Sequence, residues 1–293
     1  MKATFLPDRG VVQVSGADAR KFLNGLVTTD VTKLHPGAAR FGALLTPQGK
    51  IIVDFLITQV PAEDGERFLL DCPRALAQAL TDKLKLYKLR AQISIENLSD
   101  QVGLIAAWDG APATQPALSF ADPRQPELGL RIIAAQSELP RLASELGAEI
   151  ADVSAYDVHR IAHSIPQGGL DFAYGDAFPH ETNMDHLNGV DIGKGCYVGQ
   201  EVVSRMHHRG TTRTRAAQVV LEGSAPEPGT PVMAGDKTVG TMGSAVAQKG
   251  IALLRIDRTT EAIAAGTPLT ADGRTLRVAD LDALQGAPKQ TVA

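Results

Sequence analysis

Cysteine is nearly missing from this sequence: Cys72 and Cys196 are the only two in 293 residues. Two cannot build a disulfide framework or a self-contained zinc site, and a reducing compartment is their natural setting. Aromatic side chains are also scarce, at 4%. That argues against direct RNA binding, which usually stacks bases on interleaved aromatics. Charge of one sign is missing in bulk. The net charge is only −4, so any anionic partner must be met by a local cluster. No apolar run approaches the roughly 18 residues of a membrane-spanning helix. The N-terminal Met1-Lys2-Ala3-Thr4-Phe5-Leu6-Pro7-Asp8 has neither the apolar core of a secretory signal nor the Arg-rich pattern of a transit peptide. These absences predict a soluble, cytoplasmic protein.

Hydrophobic residues are plentiful, at 44%, enough for two or three cores. The pattern predicts an α+β region followed by a β-barrel. Val11–Val14 reads as a strand. Ser15-Gly16-Ala17-Asp18 resembles a capping box ahead of a helix carrying Ala19, Phe22, Leu23 and Leu26 on one face, with Gly25 near its end. Phe41–Thr46 and Ile51–Val60 flank Pro47-Gln48-Gly49-Lys50 as a hairpin. Phe68–Asp71 is a further strand, and Pro73 opens a helix with Leu76, Leu80, Leu84 and Tyr87 as its stripe. Ala91–Leu98, Val102–Ala107 and Leu128–Ala134 read as strands, and Asp109–Pro126 as an exposed loop. Helices are expected over Ser137–Leu146 and Ser154–His163, with an irregular stretch over Ile165–Asn183. After Arg215, short strands separated by Gly, Pro and Asp predict a small antiparallel barrel. The expected domains are residues 1–210, as two intertwined α+β parts, and 211–293.

The most informative stretch is Lys194-Gly195-Cys196-Tyr197-Val198-Gly199-Gln200-Glu201. A helix is expected from about Gly199 to His208, with Val198, Val202 and Met206 on one face. Cys196 then lies just ahead of a helix N-terminus and beside Lys194. Both features favour a thiolate, which is a nucleophile and a soft metal ligand. The competing reading is a small buried core residue, the commoner fate of a free cysteine. Cys72, in Asp71-Cys72-Pro73, reads as a strand-to-helix junction where serine is tolerated. Arg205, Arg209, Arg213 and Arg215 form a local basic cluster, suited to an acidic partner, a polyglutamate tail or RNA, or equally to plain solvation. His207 and His208 end the same helix and read as exposed. Asp54, inside Ile51-Ile52-Val53-Asp54-Phe55-Leu56, either faces a cavity or turns to solvent by alternation.

The eight residues 194–201 resemble the Lys-Gly-Cys-Tyr/Phe-x-Gly-Gln-Glu signature of the YgfZ family. Phe22-Leu23-Asn24-Gly25-Leu26-Val27-Thr28-Thr29-Asp30-Val31, Gly49-Lys50-Ile51-Ile52-Val53-Asp54, Leu86-Tyr87-Lys88-Leu89-Arg90 and Pro179-His180-Glu181-Thr182-Asn183-Met184 are similar to further segments of that family. The family is related to the folate-dependent aminomethyltransferase of glycine cleavage. The resemblance implies an aminomethyltransferase-like folate-binding fold around a central cavity, with tetrahydrofolate as ligand. It implies a role in iron–sulfur cluster assembly, in support of 4Fe–4S enzymes including those that modify tRNA. Cys196 would be the essential residue and a ligand of a 2Fe–2S cluster shared with an A-type carrier protein. Lys194 would serve beside it, with Gly195 and Gly199 shaping the loop. Asp54, Tyr87, Arg90, Glu181, Gln200 and Glu201 would be the cofactor-facing set. The alternative is a folate-dependent one-carbon transferase. Against it, the aminomethyltransferases carry Arg-x-Glu where this chain reads Arg160-Ile161-Ala162. Alanine cannot accept the paired N–H donors of a pterin.

Overall fold

A computed structural model describes residues 1–62 and 65–286. In chain order the elements are β1 (Lys2–Phe5), β2 (Arg9–Gly16), α1 (Ala19–Asn24), β3 (Ala39–Leu45), β4 (Ile51–Val60), β5 (Glu66–Pro73), α2 (Arg74–Tyr87) and β6 (Ser94–Asn97). There follow β7 (Val102–Trp108), β8 (Ser119–Ala121), β9 (Leu130–Ala135), α3 (Leu139–Glu145), β10 (Glu149–Ile150), α4 (Val153–Ala162) and α5 (Gln200–Arg209). The last set is β11 (Thr214–Leu221), β12 (Pro231–Ala234), β13 (Lys237–Val246), β14 (Lys249–Arg255), α6 (Ile256–Ala264), β15 (Leu269–Ala271), β16 (Arg274–Val278) and α7 (Leu281–Gln285). The chain divides into two compact units. The first holds residues 1–156 and 187–200; the second holds 157–186 and everything from 201 onward.

The first unit contains two five-stranded sheets, ordered β3-β4-β5-β2-β6 and β10-β1-β7-β9-β8. The hairpin forms as its sequence dictates: β3 and β4 pair antiparallel, and Gly49 closes the turn at φ 82°. Glycine occupies that left-handed conformation without the Cβ penalty. Alternate residues Val53, Phe55 and Ile57 of β4 face the main core, where Leu23, Leu80 and Leu84 from α1 and α2 also bury. The other face of β4 is covered too, since Asp54 and Leu56 are both buried. Solvent-facing alternation therefore does not apply to Asp54.

Two local expectations need correction. Asp18 precedes α1 but makes no capping bond to it; its carboxylate accepts from the Gln92 N–H instead. Gly25 ends α1 as expected, in the right-handed region. The supposed loop over 109–126 contains β8, whose Phe120 is buried and pairs with Arg131 of β9. A three-residue edge strand is too short to show a period-2 pattern.

The second unit is built on a closed antiparallel barrel, β11-β14-β13-β12-β15-β16. Ala217, Val219 and Leu221 of β11 and Ala252 and Leu254 of β14 point inward with period 2, and Ala262 of α6 and Leu284 of α7 join that core. The register of β13 against β14 slips between Met242 and Ala245, a bulge. Gly243 lies in it, and a Cβ there would meet the Asp171 carboxylate at 2.3 Å. Among the described residues no helix is long and apolar enough to cross a membrane.

Candidate functional site

The loop that carries the signature is fastened to the first unit by its backbone and through Lys194, Tyr197, Val198 and Gly199, while Gly195 and Cys196 are exposed. The Thr28 hydroxyl donates to the Gly189 carbonyl at 2.6 Å, and the Asp191 N–H donates to the Thr28 carbonyl at 3.0 Å. The Asp191 carboxylate accepts from the Gly193 N–H and pairs with Lys33 at 3.2 Å. Lys194 turns inward. Its ammonium donates to the carbonyls of Asn24 (2.8 Å), Val27 (2.6 Å) and Thr29 (2.8 Å), and it lies 5.1 Å from the centre of the Tyr197 ring. Burial pulls the Lys194 ammonium down to about 8, with Asp30 and Asp191 opposing the shift. It is therefore still mostly charged at neutral pH. Tyr197 is buried, and burial pushes its phenol up to about 12. Val198 packs on the main core. Gly199 has φ 82°, and a Cβ on it would lie 2.6 Å from the Thr46 carbonyl oxygen. Only glycine fits there.

Cys196 is exposed, whereas Cys72 is fully buried in the core and its thiol is pushed up to about 12, chiefly by burial. The reading of Cys196 as a small core residue does not hold; that role belongs to Cys72. The structure also redirects Lys194. An ammonium has three donors, and all three are taken by backbone carbonyls, so none is left for the neighbouring thiol. Among the described residues no group of three or more His, Cys, Asp or Glu is placed to hold a metal ion. Within those residues Cys196 therefore belongs to no such group.

The remaining candidates fall in different places. Helix α5 buries Val203 and Met206, and Val202 is only half-buried, so the expected face is rotated by one position. Gln200 is half-buried. Glu201 faces solvent and pairs with Arg205 at 2.6 Å. Arg215 is no part of an exposed basic cluster: it is buried and forks onto Asp185 at 3.0 Å. Arg209 and Arg213 are exposed, with no ion pair among the described residues. His207 and His208 are exposed as expected. Glu181 accepts from the Phe178 N–H at 2.8 Å and so caps the short helical turn Pro179–Thr182. Tyr87 is half-buried against the main core, and Arg90 is exposed. Asp54, Tyr87, Arg90 and residues 194–200 belong to the first unit; Glu181 and Glu201 belong to the second.

The fit to tetrahydrofolate can be tested on these residues. Asp54 is a buried carboxylate, but its charge already acts on Arg9 and on Arg124 inside the chain. Ala162, at the end of α4, is an exposed methyl where a pterin-reading carboxylate would be required. The donor set does not fit a tightly held pterin.

Sequence reasoning missed the Asn24, Val27 and Thr29 carbonyls, because a backbone acceptor leaves no trace in residue type. The Thr28-Thr29-Asp30 run was the available signal.

Comparison with known proteins places the chain. Residues 8–114 match the GCVT N-terminal domain, and residues 213–285 match the CAF17 C-terminal beta-barrel domain. The mitochondrial iron–sulfur cluster assembly factor IBA57 homolog of Mycosarcoma maydis is 37% identical over 239 residues, covering 77% of this chain and 59% of that protein. The mouse and human mitochondrial IBA57 proteins are each 31% identical over 277 residues, covering 85% of this chain and 76% of theirs. The chain thus spans well under two thirds of the fungal relatives' length and about three quarters of the mammalian ones. In structure, the glycine cleavage aminomethyltransferase T of Bartonella henselae superposes with a TM-score of 0.74 at 16% identity, over 96% of this chain and 85% of that one. At that identity it establishes an aminomethyltransferase-like fold and nothing more. The expected cytoplasmic location is corrected here, since these relatives are mitochondrial proteins. With an aminomethyltransferase-like first unit, a CAF17-type barrel, and mammalian relatives matched over most of their length, the chain belongs to the family of the iron–sulfur cluster assembly factor IBA57.

Proposed function

We propose that the protein is an iron–sulfur cluster assembly factor in which Cys196 offers one thiolate to a 2Fe–2S cluster brought by an A-type carrier protein. The single observation that carries this reading is an exposed cysteine on a loop whose neighbours are fastened inward. A 2Fe–2S centre takes four protein ligands, so the carrier or glutathione supplies the rest. The step is a ligand exchange without redox change. The Cys196 sulfur forms a bond to iron as another thiolate leaves, and the proton lost from Cys196 goes to the departing sulfur. The onward clients are 4Fe–4S enzymes, tRNA-modifying ones among them, in keeping with the YgfZ-like signature. Anaerobic mixing with a loaded A-type carrier, followed by visible absorption and native mass measurement, tests the reading. Full cluster occupancy of the isolated protein, with no carrier bound, would refute the shared site. The one-carbon transferase reading is disfavoured, because methylene transfer needs a rigidly held pterin and Ala162 removes the anchor.

The carrier is expected to be acidic. Arg205 is offset by Glu201 and Arg215 is internal, so Arg209 and Arg213 are the arginines left to steer it. Reversing both to glutamate is expected to slow association roughly tenfold at low salt and much less at high salt, since exposed charges are screened. Stopped-flow measurement at two ionic strengths decides this, and equal rates would remove the pair from docking.

Tetrahydrofolate is the proposed small-molecule ligand at the Asp54 face, bound weakly. Calorimetry is expected to show heat only at high ligand concentration, and less of it with Asp54→Ala. Tight, micromolar binding would contradict the loss of the pterin anchor at Ala162.

A further inference from the structure

The two stretches 24–30 and 194–199, which look unrelated along the chain, form one assembly in the first unit. Helix α1 ends at Asn24, and the chain then turns through Val27 to Thr29. The Asn24 carbonyl ends α1 without a partner inside the helix, the Val27 and Thr29 carbonyls lie beyond it, and a cation is a favoured group to satisfy such acceptors. Here that cation comes from far along the chain. The Lys194 ammonium takes Asn24, Val27 and Thr29 together, at 2.6–2.8 Å. Lys194 is 7% exposed, so these bonds are shielded from water. The same turn holds residues 189 and 191 through Thr28. On the far side of Cys196, Tyr197 is buried, Val198 packs on the core, and Gly199 lies against the Thr46 carbonyl. The backbone of Cys196 is thus held from both sides, while nothing lies within 4 Å of a Cβ at Gly195.

Resting on the cluster-sharing reading above, we propose that Lys194 is a positioning residue for Cys196. Seated on the carbonyls of Asn24, Val27 and Thr29, it holds the thiol ready in the place where a partner-borne cluster arrives. A shared ligand on a free loop would have to be ordered at the moment of binding. Fixing backbone costs conformational entropy, and a preorganised loop has met that cost on folding. The chemistry demands lysine. Methionine has the length but leaves three carbonyls without a donor. Arginine keeps the charge but spreads its donors in a planar fork, which does not match three carbonyls converging on one nitrogen.

The test compares Lys194→Met, Lys194→Arg and Cys196→Ser with the parent protein. The readouts are the dissociation constant of the cluster-bridged complex, the rate of Cys196 alkylation by iodoacetamide, and amide hydrogen exchange over residues 24–29. For both lysine variants, faster exchange, alkylation at least as fast as the parent, and a complex weakened tenfold or more are expected. The thiol then remains available but is no longer placed. Faster exchange with an unchanged dissociation constant would overturn the inference and leave Cys196 as the ligand. An intact complex with Cys196→Ser would instead overturn the proposed function, and this inference with it. Should the lysine variants not fold, Asp191→Ala loosens the same loop from its solvent side, by freeing the Gly193 N–H and leaving Lys33 to Asp30 alone. It is read by the same criteria.

Discussion

Cys196→Ser is expected to abolish cluster acquisition from a loaded carrier while the melting temperature stays at the parent value. The first half follows from chemistry. A serine hydroxyl is neither soft nor ionised at neutral pH, so it does not replace a thiolate on iron. The second half follows from position. Cys196 is exposed, and exposed substitutions away from caps and cores rarely move stability by more than about 0.5 kcal/mol. Visible absorption of the anaerobic mixture and a thermal melt of the protein alone decide both halves. Full occupancy with serine would remove Cys196 from the mechanism. Cys72 behaves in the opposite way and corrects the expectation that serine is tolerated there. It is 0% exposed within the main core. A hydroxyl left there without a partner costs about 1–3 kcal/mol. Cys72→Ser is therefore a stability variant with Cys196 intact, and Cys72→Ala is the better control for alkylation.

The contrast between the two cysteines marks where sequence reasoning stops. Residue types around Cys196 suggested a special environment, but two buried-or-exposed readings remained open. Burial is decided by what packs on the loop, and that depends on Asn24–Thr29, some 170 residues earlier. The repeating patterns fared better. Leu80 and Leu84 in α2, the β3–β4 hairpin, and the inward Val219 and Leu221 of the barrel follow from periods of 3.6 and 2. The patterns failed for β8 and β15, which have three residues each and so no period to read. They failed also for charges. Arg205, Arg209, Arg213 and Arg215 look alike in sequence, yet one is paired on the surface, two are exposed and one is buried on Asp185. Asp54 shows the same limit. Its hydrophobic neighbours made it look like a ligand site, and the arginines whose charge it feels, Arg9 and Arg124, come from distant strands and loops and form their ion pairs with Asp71 and Asp122.

Asp171→Ala is expected to destabilise the second unit by about 3 kcal/mol, the cost of breaking a buried charge pair from one side. Asp171 is 5% exposed and lies in the irregular stretch before the barrel. One carboxylate oxygen accepts from Arg160 at 3.0 Å and from the Gln167 N–H at 2.7 Å. The other accepts from the Ser244 N–H and the Ser244 hydroxyl, both at 2.6 Å. Four donors from three parts of the chain thus converge on one side chain. Removing it strands the Ser244 N–H and leaves Arg160, itself 3% exposed, with Asp157 as its remaining ion-pair partner. Asp171→Asn is the informative companion. It keeps the shape and one acceptor oxygen but loses the charge and turns two donors toward a donor. Its loss is expected to fall between those of the parent and alanine. Urea denaturation of all three proteins, with the transition followed by circular dichroism, measures the differences. An Asp171→Ala protein as stable as the parent would mean that this carboxylate does not hold the segment to β13. The bulge argues that it does. Gly243 leaves no room for a Cβ beside Asp171, and only a glycine lets the strand backbone come close enough for the Ser244 N–H to reach the carboxylate.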